Sequence, residues 1–151
     1  MALSVPTESL ASVDAADLYH ELRGAGAGWL SLDVERKEQL LRQGYDYLAA
    51  AYGGAWPIGL VFGTDAYGVV YPAMMKANAI LALKAKPGAL MPEATPQKIK
   101  VKVGPLETEY AEQAQSANGL RAFPDILRLV VSCLPAPVAT GSAYMSPIVR
   151  N

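Results

Sequence analysis

The chain holds one histidine, His20, and one cysteine, Cys133. A Cys–His nucleophile pair needs its thiol in a polar, partly exposed setting that lowers the thiol pKa. Cys133 stands instead among Val130, Val131 and Leu134 and reads as a core cysteine. His20 reads as a surface or interface side chain. A single cysteine excludes a disulfide framework and any Cys-based zinc site. No HExxH or EF-hand pattern occurs, and no pair of carboxylates has acid/base spacing. The run Gly24-Ala25-Gly26-Ala27-Gly28 looks superficially like a phosphate-binding loop. It follows a helix rather than a strand, and no Lys-Ser/Thr comes after it, so it reads as a turn. These residues make no case for an enzyme, a metal or a cofactor.

Lys98, Lys100 and Lys102, beside a supply of eight tyrosines, raise a different chemistry. Single-strand binders combine a basic groove with stacking aromatics. The residues around these lysines offer a competing explanation. Residues 98–110 alternate strictly on both sides of Gly104-Pro105, which predicts a β-hairpin over about 97–111. In that register Lys102 faces Glu107 and Lys100 faces Glu109. Val103 faces Leu106, Val101 faces Thr108, and Ile99 faces Tyr110. One face is apolar and the other is a ladder of opposite charges, so the lysines are accounted for without nucleic acid. The apolar face needs cover, because a lone hairpin is marginal in water. Ile99, Val101, Val103 and Tyr110, with Lys98, Lys100, Lys102, Glu107 and Glu109 around them, are therefore the expected subunit or partner interface.

Helices must carry this hairpin. Ser12 can cap a helix over about 12–23, with Leu18 and Leu22 on one face. Ser31 or Asp33 caps a second over about 33–51, where Val34, Leu41, Tyr45, Leu48 and Tyr52 recur at helical spacing beside Leu40 and Tyr47. Gly53-Gly54 ends it. Residues 53–71 form a loop rich in glycine and aromatics, and loops this long are usually functional or ordered by a partner. Pro72 suits the first turn of a third, alanine-rich helix over about 73–86, with Asn78 near its apolar face. A last helix over about 123–134 is apolar on most sides and must be buried. The tail from Pro135 has no helical period and three prolines, which keep it extended. Tyr144, Met145, Pro147, Ile148, Val149 and Arg150 in that tail read as a docking arm, the alternative being a tail that folds back over its own last helix. The expected fold is mainly α: a small helical bundle over 1–134 with one β-hairpin, and an extended C-terminal arm over 135–151.

Composition is consistent with this. A length of 151 residues fits one domain, and 52% hydrophobic residues exclude a disordered chain. The charged share, 18%, is below the usual ~25% and hints that a partner covers some apolar surface. Thirteen Lys and Arg against fourteen Asp and Glu give a net charge of −1, whereas a duplex binder is usually basic. The N-terminus has no basic start and no long apolar run, so no signal peptide is expected. The most apolar stretch, residues 126–139, is interrupted by Arg128, Pro135 and Pro137, so no membrane contact is expected.

The order of landmarks resembles a tailed-phage family. Trp29 precedes the segment Asp33-Val34-Glu35-Arg36-Lys37-Glu38, which runs on to Tyr45-Asp46-Tyr47-Leu48, then Tyr52 and Trp56. Pro72 opens the alanine-rich helix, and Val103-Gly104-Pro105-Leu106-Glu107-Thr108-Glu109-Tyr110 forms the hairpin phrase. Proteins of this kind are often labelled DnaT-like single-stranded-DNA-binding, and they look like head–tail connector (adaptor) proteins. The resemblance implies a structural virion protein, present in the host cytoplasm during assembly and at the head–tail junction afterwards. It implies a homo-oligomeric ring, a dodecamer, between the portal protein and a tail or stopper protein. DNA would pass through its lumen without sequence-specific contact, and the C-terminal arm would bind the portal. The alternative is a DnaT-like single-stranded-DNA-binding protein acting in replication.

Overall fold

Asp33 sets the longest helix. Its carboxylate accepts from the Arg36 backbone N–H at 2.7 Å, filling one of the donors a helix start leaves open. In the computed structural model, which describes residues 2–88, 90, 100–103, 106–109, 120 and 123–135, this cap starts the helix Val34–Tyr52. The described chain runs α1 (Val13–Glu21), α2 (Gly26–Trp29), α3 (Val34–Tyr52), α4 (Pro72–Lys84), β1 (Lys100–Val103), β2 (Leu106–Glu109) and α5 (Pro124–Val131). It is mostly helical. Ser12 caps α1, its hydroxyl accepting from Ala15 N–H at 3.2 Å. Prolines open α4 and α5, where a missing N–H costs nothing. The glycine-rich run read as a turn overlaps the short helix α2, which starts at Gly26 and runs on to Trp29.

The core lies where α3 meets α4. Leu40, Leu41, Tyr47 and Leu48 of α3 and Met74, Ala77, Leu81 and Ala82 of α4 are all buried. The small side chains of α4 let the two backbones approach closely. α5 packs on α4 through Ile126 and Val130, and Lys84 pairs with Asp125 across that seam at 3.1 Å. Phe123 meets Tyr47 edge-on, with ring centroids 5.3 Å apart. Asn78 is fully buried between the helices. Its amide donates to Ser9 Oγ at 3.0 Å and to the Leu41 carbonyl at 3.3 Å, tying the N-terminal segment to the core.

Two helix faces differ from the sequence reading. On α1 the buried residues are Ala16 and His20, while Leu18 and Leu22 face solvent. A small residue and a ring with a carbonyl partner fit against α4 better than two leucines do. α5 is buried on one side only, with Leu127 and Val131 exposed.

β1 and β2 pair antiparallel, with Lys100 opposite Glu109, Val101 opposite Thr108, Lys102 opposite Glu107 and Val103 opposite Leu106. The ends expected for the hairpin, with Lys98, Ile99 and Tyr110, lie outside the described residues. So do Tyr144, Met145, Pro147, Ile148, Val149 and Arg150 of the expected arm. No helix among the described residues is long and apolar enough to cross a membrane.

Candidate nucleic-acid interface

The segment between α3 and α4 begins as a short 3-10 turn, Gly53–Ala55, and then reverses on a chain of rings. Trp56 meets Phe62 edge-on at 5.3 Å and Tyr71 at 6.0 Å, and Phe62 meets Tyr45 of α3 at 6.0 Å. These rings anchor the segment to both flanking helices. Gly63 follows with φ +80°, a conformation that favours glycine. It also lies against buried Leu10, whose Cδ2 would be 2.5 Å from an added Cβ. Only glycine fits there.

Past Gly63 the backbone folds into a small bridged turn. Thr64 is buried, its hydroxyl donating to the Val61 carbonyl at 2.8 Å, and it bridges Val70. Asp65 N–H donates to the Val69 carbonyl at 2.9 Å, and Tyr71 N–H donates to the Gly63 carbonyl at 3.0 Å. The Asp65 carboxylate accepts from two backbone donors, Tyr67 N–H at 2.8 Å and Val69 N–H at 3.0 Å. Gly68, at φ +76°, donates its N–H to the Asp65 carbonyl at 3.1 Å. An aspartate serving its own turn in this way fixes the loop locally. The tip of the turn is Tyr67, which is 91% exposed. Ile58, Val61 and Val69 of the same segment are exposed as well. Asp65 is the segment's one charged residue.

The catalytic candidates sit elsewhere and apart. His20, read from sequence as a surface or interface side chain, is buried. Its Nε2 lies 3.0 Å from the Ala79 carbonyl and its ring 4.9 Å from that of Trp29. Burial pushes its pKa below 6.5, against the opposing pull of the Ala79 carbonyl and of Asp17. Because the folded protein resists protonation there, the unfolded chain binds the proton first. Stability should therefore be full above pH 6.5 and fall as the pH drops below it. Urea midpoints measured between pH 7.5 and about 5 should show this fall, and His20→Gln should flatten it. Cys133 is half-buried with its thiol 3.5 Å from the Leu129 carbonyl, more open than a core cysteine. No group of three or more His, Cys, Asp or Glu among the described residues could hold a metal ion.

Most of the described cations are already engaged. Lys37 pairs with Asp17 at 3.0 Å, Arg42 with Glu8 at 3.3 Å and with Glu38 at 3.7 Å, and Lys84 with Asp125. Lys86 Nζ donates to the Gly28 carbonyl at 2.8 Å. Arg23 lies 3.9 Å over the Tyr19 ring. Lys100 and Lys102, two of the three lysines that first suggested nucleic acid, have glutamates as their register partners. The sequence reading noted the composition of residues 53–71 but singled out neither Tyr67 nor Ile58. The signal available was Asp65-Ala66-Tyr67-Gly68, an aspartate two residues ahead of an aromatic and followed by a turn glycine.

The described chain is thus a small helical protein whose braced loop between α3 and α4 holds one aromatic ring, Tyr67, out to solvent. It belongs to the family described as "Putative DnaT-like ssDNA binding protein", whose model matches residues 3–151. No curated protein and no solved structure matches the chain. This family description corrects the head–tail connector reading and supports its alternative. The landmarks behind the connector reading are caps, turn residues and core spacings. Such features specify a fold and do not specify what the fold is used for.

Proposed function

We propose that the chain binds single-stranded DNA. The family description supports this over nearly the whole chain. The observation that carries it is the segment 53–71, which holds the Tyr67 ring and the aliphatic side chains of Ile58, Val61 and Val69 out to solvent, with one charge in the whole segment. Unpaired bases offer an apolar π face that such a surface can take, whereas duplex DNA hides its bases and presents phosphates. A chain with net charge −1 and most described cations engaged has little to offer a duplex.

Fluorescence anisotropy of a labelled thymidine oligomer of about 20 nucleotides, against a duplex of equal length, tests this. At low salt the single strand should bind in the range of ~10 μM or tighter and the duplex at least about ten times more weakly. No binding of the single strand, or equal binding of the two forms, overturns the reading.

A further inference from the structure

We infer that Tyr67 is a base-stacking platform: it holds one unpaired nucleobase against its ring and contributes no phosphate contact. The inference rests on the single-strand reading above and assigns it to one side chain. At 91% exposure the Tyr67 ring is free to take a flat partner. The turn beneath it is fixed by Asp65, which accepts from Tyr67 and Val69 N–H, and by the Thr64–Val70 bridge. A ring presented on a rigid turn loses less freedom on binding than one on a loose loop. Stacking of this kind is tolerant of sequence, because every base has a π face.

The charges decide against a phosphate contact at the same place. Residues 53–71 contain no lysine or arginine. The one carboxylate, on Asp65, would repel a phosphate and is itself occupied by backbone donors. Exposed Ile58, Val61 and Val69 of the same segment offer apolar surface to a base or sugar. The Trp56 indole N–H, in a side chain only 7% exposed at the loop's base, has no hydrogen-bond acceptor among the described residues.

The test uses the full chain and two probes, a labelled thymidine oligomer and an abasic oligomer of equal length that keeps the phosphates and lacks the bases. Tyr67→Ala should weaken binding of the thymidine oligomer about ten-fold or more, while Tyr67→Phe and Tyr67→Trp stay within about three-fold of the unaltered chain. The abasic oligomer should bind the unaltered chain about as weakly as thymidine binds Tyr67→Ala. The slope of log affinity against log salt should be the same for the unaltered chain and Tyr67→Ala, since no phosphate contact is removed. If Tyr67→Ala binds like the unaltered chain, the inference fails while the single-strand reading stands. If the unaltered chain binds the abasic and thymidine oligomers equally, stacking is wrong. If it binds neither, both readings fall. If Tyr67→Ala changes the mass seen by light scattering and leaves oligomer affinity unchanged, the loop is a self-docking surface and the inference is overturned.

Discussion

Replacing Trp29 with alanine should cost about 3–5 kcal/mol of stability, the usual range for deleting a large buried aromatic. Trp29 is fully buried although it ends a helix of only four residues. Its indole N–H donates to Asp17 Oδ1 at 2.6 Å, and Lys37 Nζ donates to the other oxygen of that carboxylate at 3.0 Å. The ring also packs on His20, and the Lys37 ammonium lies 6.0 Å from its centroid. One side chain therefore joins α1, α2 and α3. Alanine would leave a cavity, remove a hydrogen bond from a carboxylate paired with a mostly buried lysine, and strip one wall from His20. A domain with ~5–15 kcal/mol in hand cannot lose this much and remain well folded at elevated temperature. Trp29→Phe keeps most of the volume and loses the hydrogen bond, so it should cost about 1–2 kcal/mol. Urea unfolding at constant slope measures both. A loss below about 1.5 kcal/mol for Trp29→Ala would mean that α2 is not held to the core by this ring.

The same cluster shows where sequence reasoning stops. Trp29, His20 and Asp17 are three ordinary residues in the chain, and nothing local says that they meet. His20 finds its acceptor on Ala79, 59 positions away. Periodicity weights residues by hydrophobicity, so it marked Leu18 and Leu22 as sharing a face of the first helix and passed over Ala16 and His20. Tertiary packing chose Ala16 and His20, because closeness to α4 favours a small residue and a ring with a waiting carbonyl. α3 was legible to within a residue at each end, since its cap, its apolar spacing and its terminal glycines all act within a few positions. The candidate interface was half legible. Length and composition marked residues 53–71 as a working loop, but Tyr67's exposure depends on Asp65 folding back on its own turn and on Gly63 fitting under Leu10. Those are contacts, and composition does not report contacts.

Gly44 is the position where a gain expected from local propensity should turn into a loss. It sits in the middle of α3, where alanine in place of glycine would ordinarily stabilise by about 1 kcal/mol. Here an added Cβ would lie 3.1 Å from the Asn78 carbonyl oxygen, 3.3 Å from the Ala82 nitrogen and 3.3 Å from Leu81 Cβ. Two of these neighbours are backbone atoms of α4, which cannot rotate out of the way. Gly44→Ala should therefore forfeit the propensity gain and come out between about zero and 1 kcal/mol destabilising. Gly44→Leu must push α4 away from α3, disturbing the seam that buries Leu41, Leu48 and Leu81 and the Asn78 bond to the Leu41 carbonyl. Its cost should reach about 3 kcal/mol or more, at the upper end for overpacking a tight core. Gly53→Ala is the control. Gly53 has helical backbone angles, φ −58° and ψ −36°, and nothing within 4 Å of an added Cβ. Alanine there should stabilise by about 0.4–1 kcal/mol through the unfolded chain. Urea midpoints of the three variants order the effects. If Gly44→Ala stabilises as much as Gly53→Ala, the close approach of α3 and α4 is wrong.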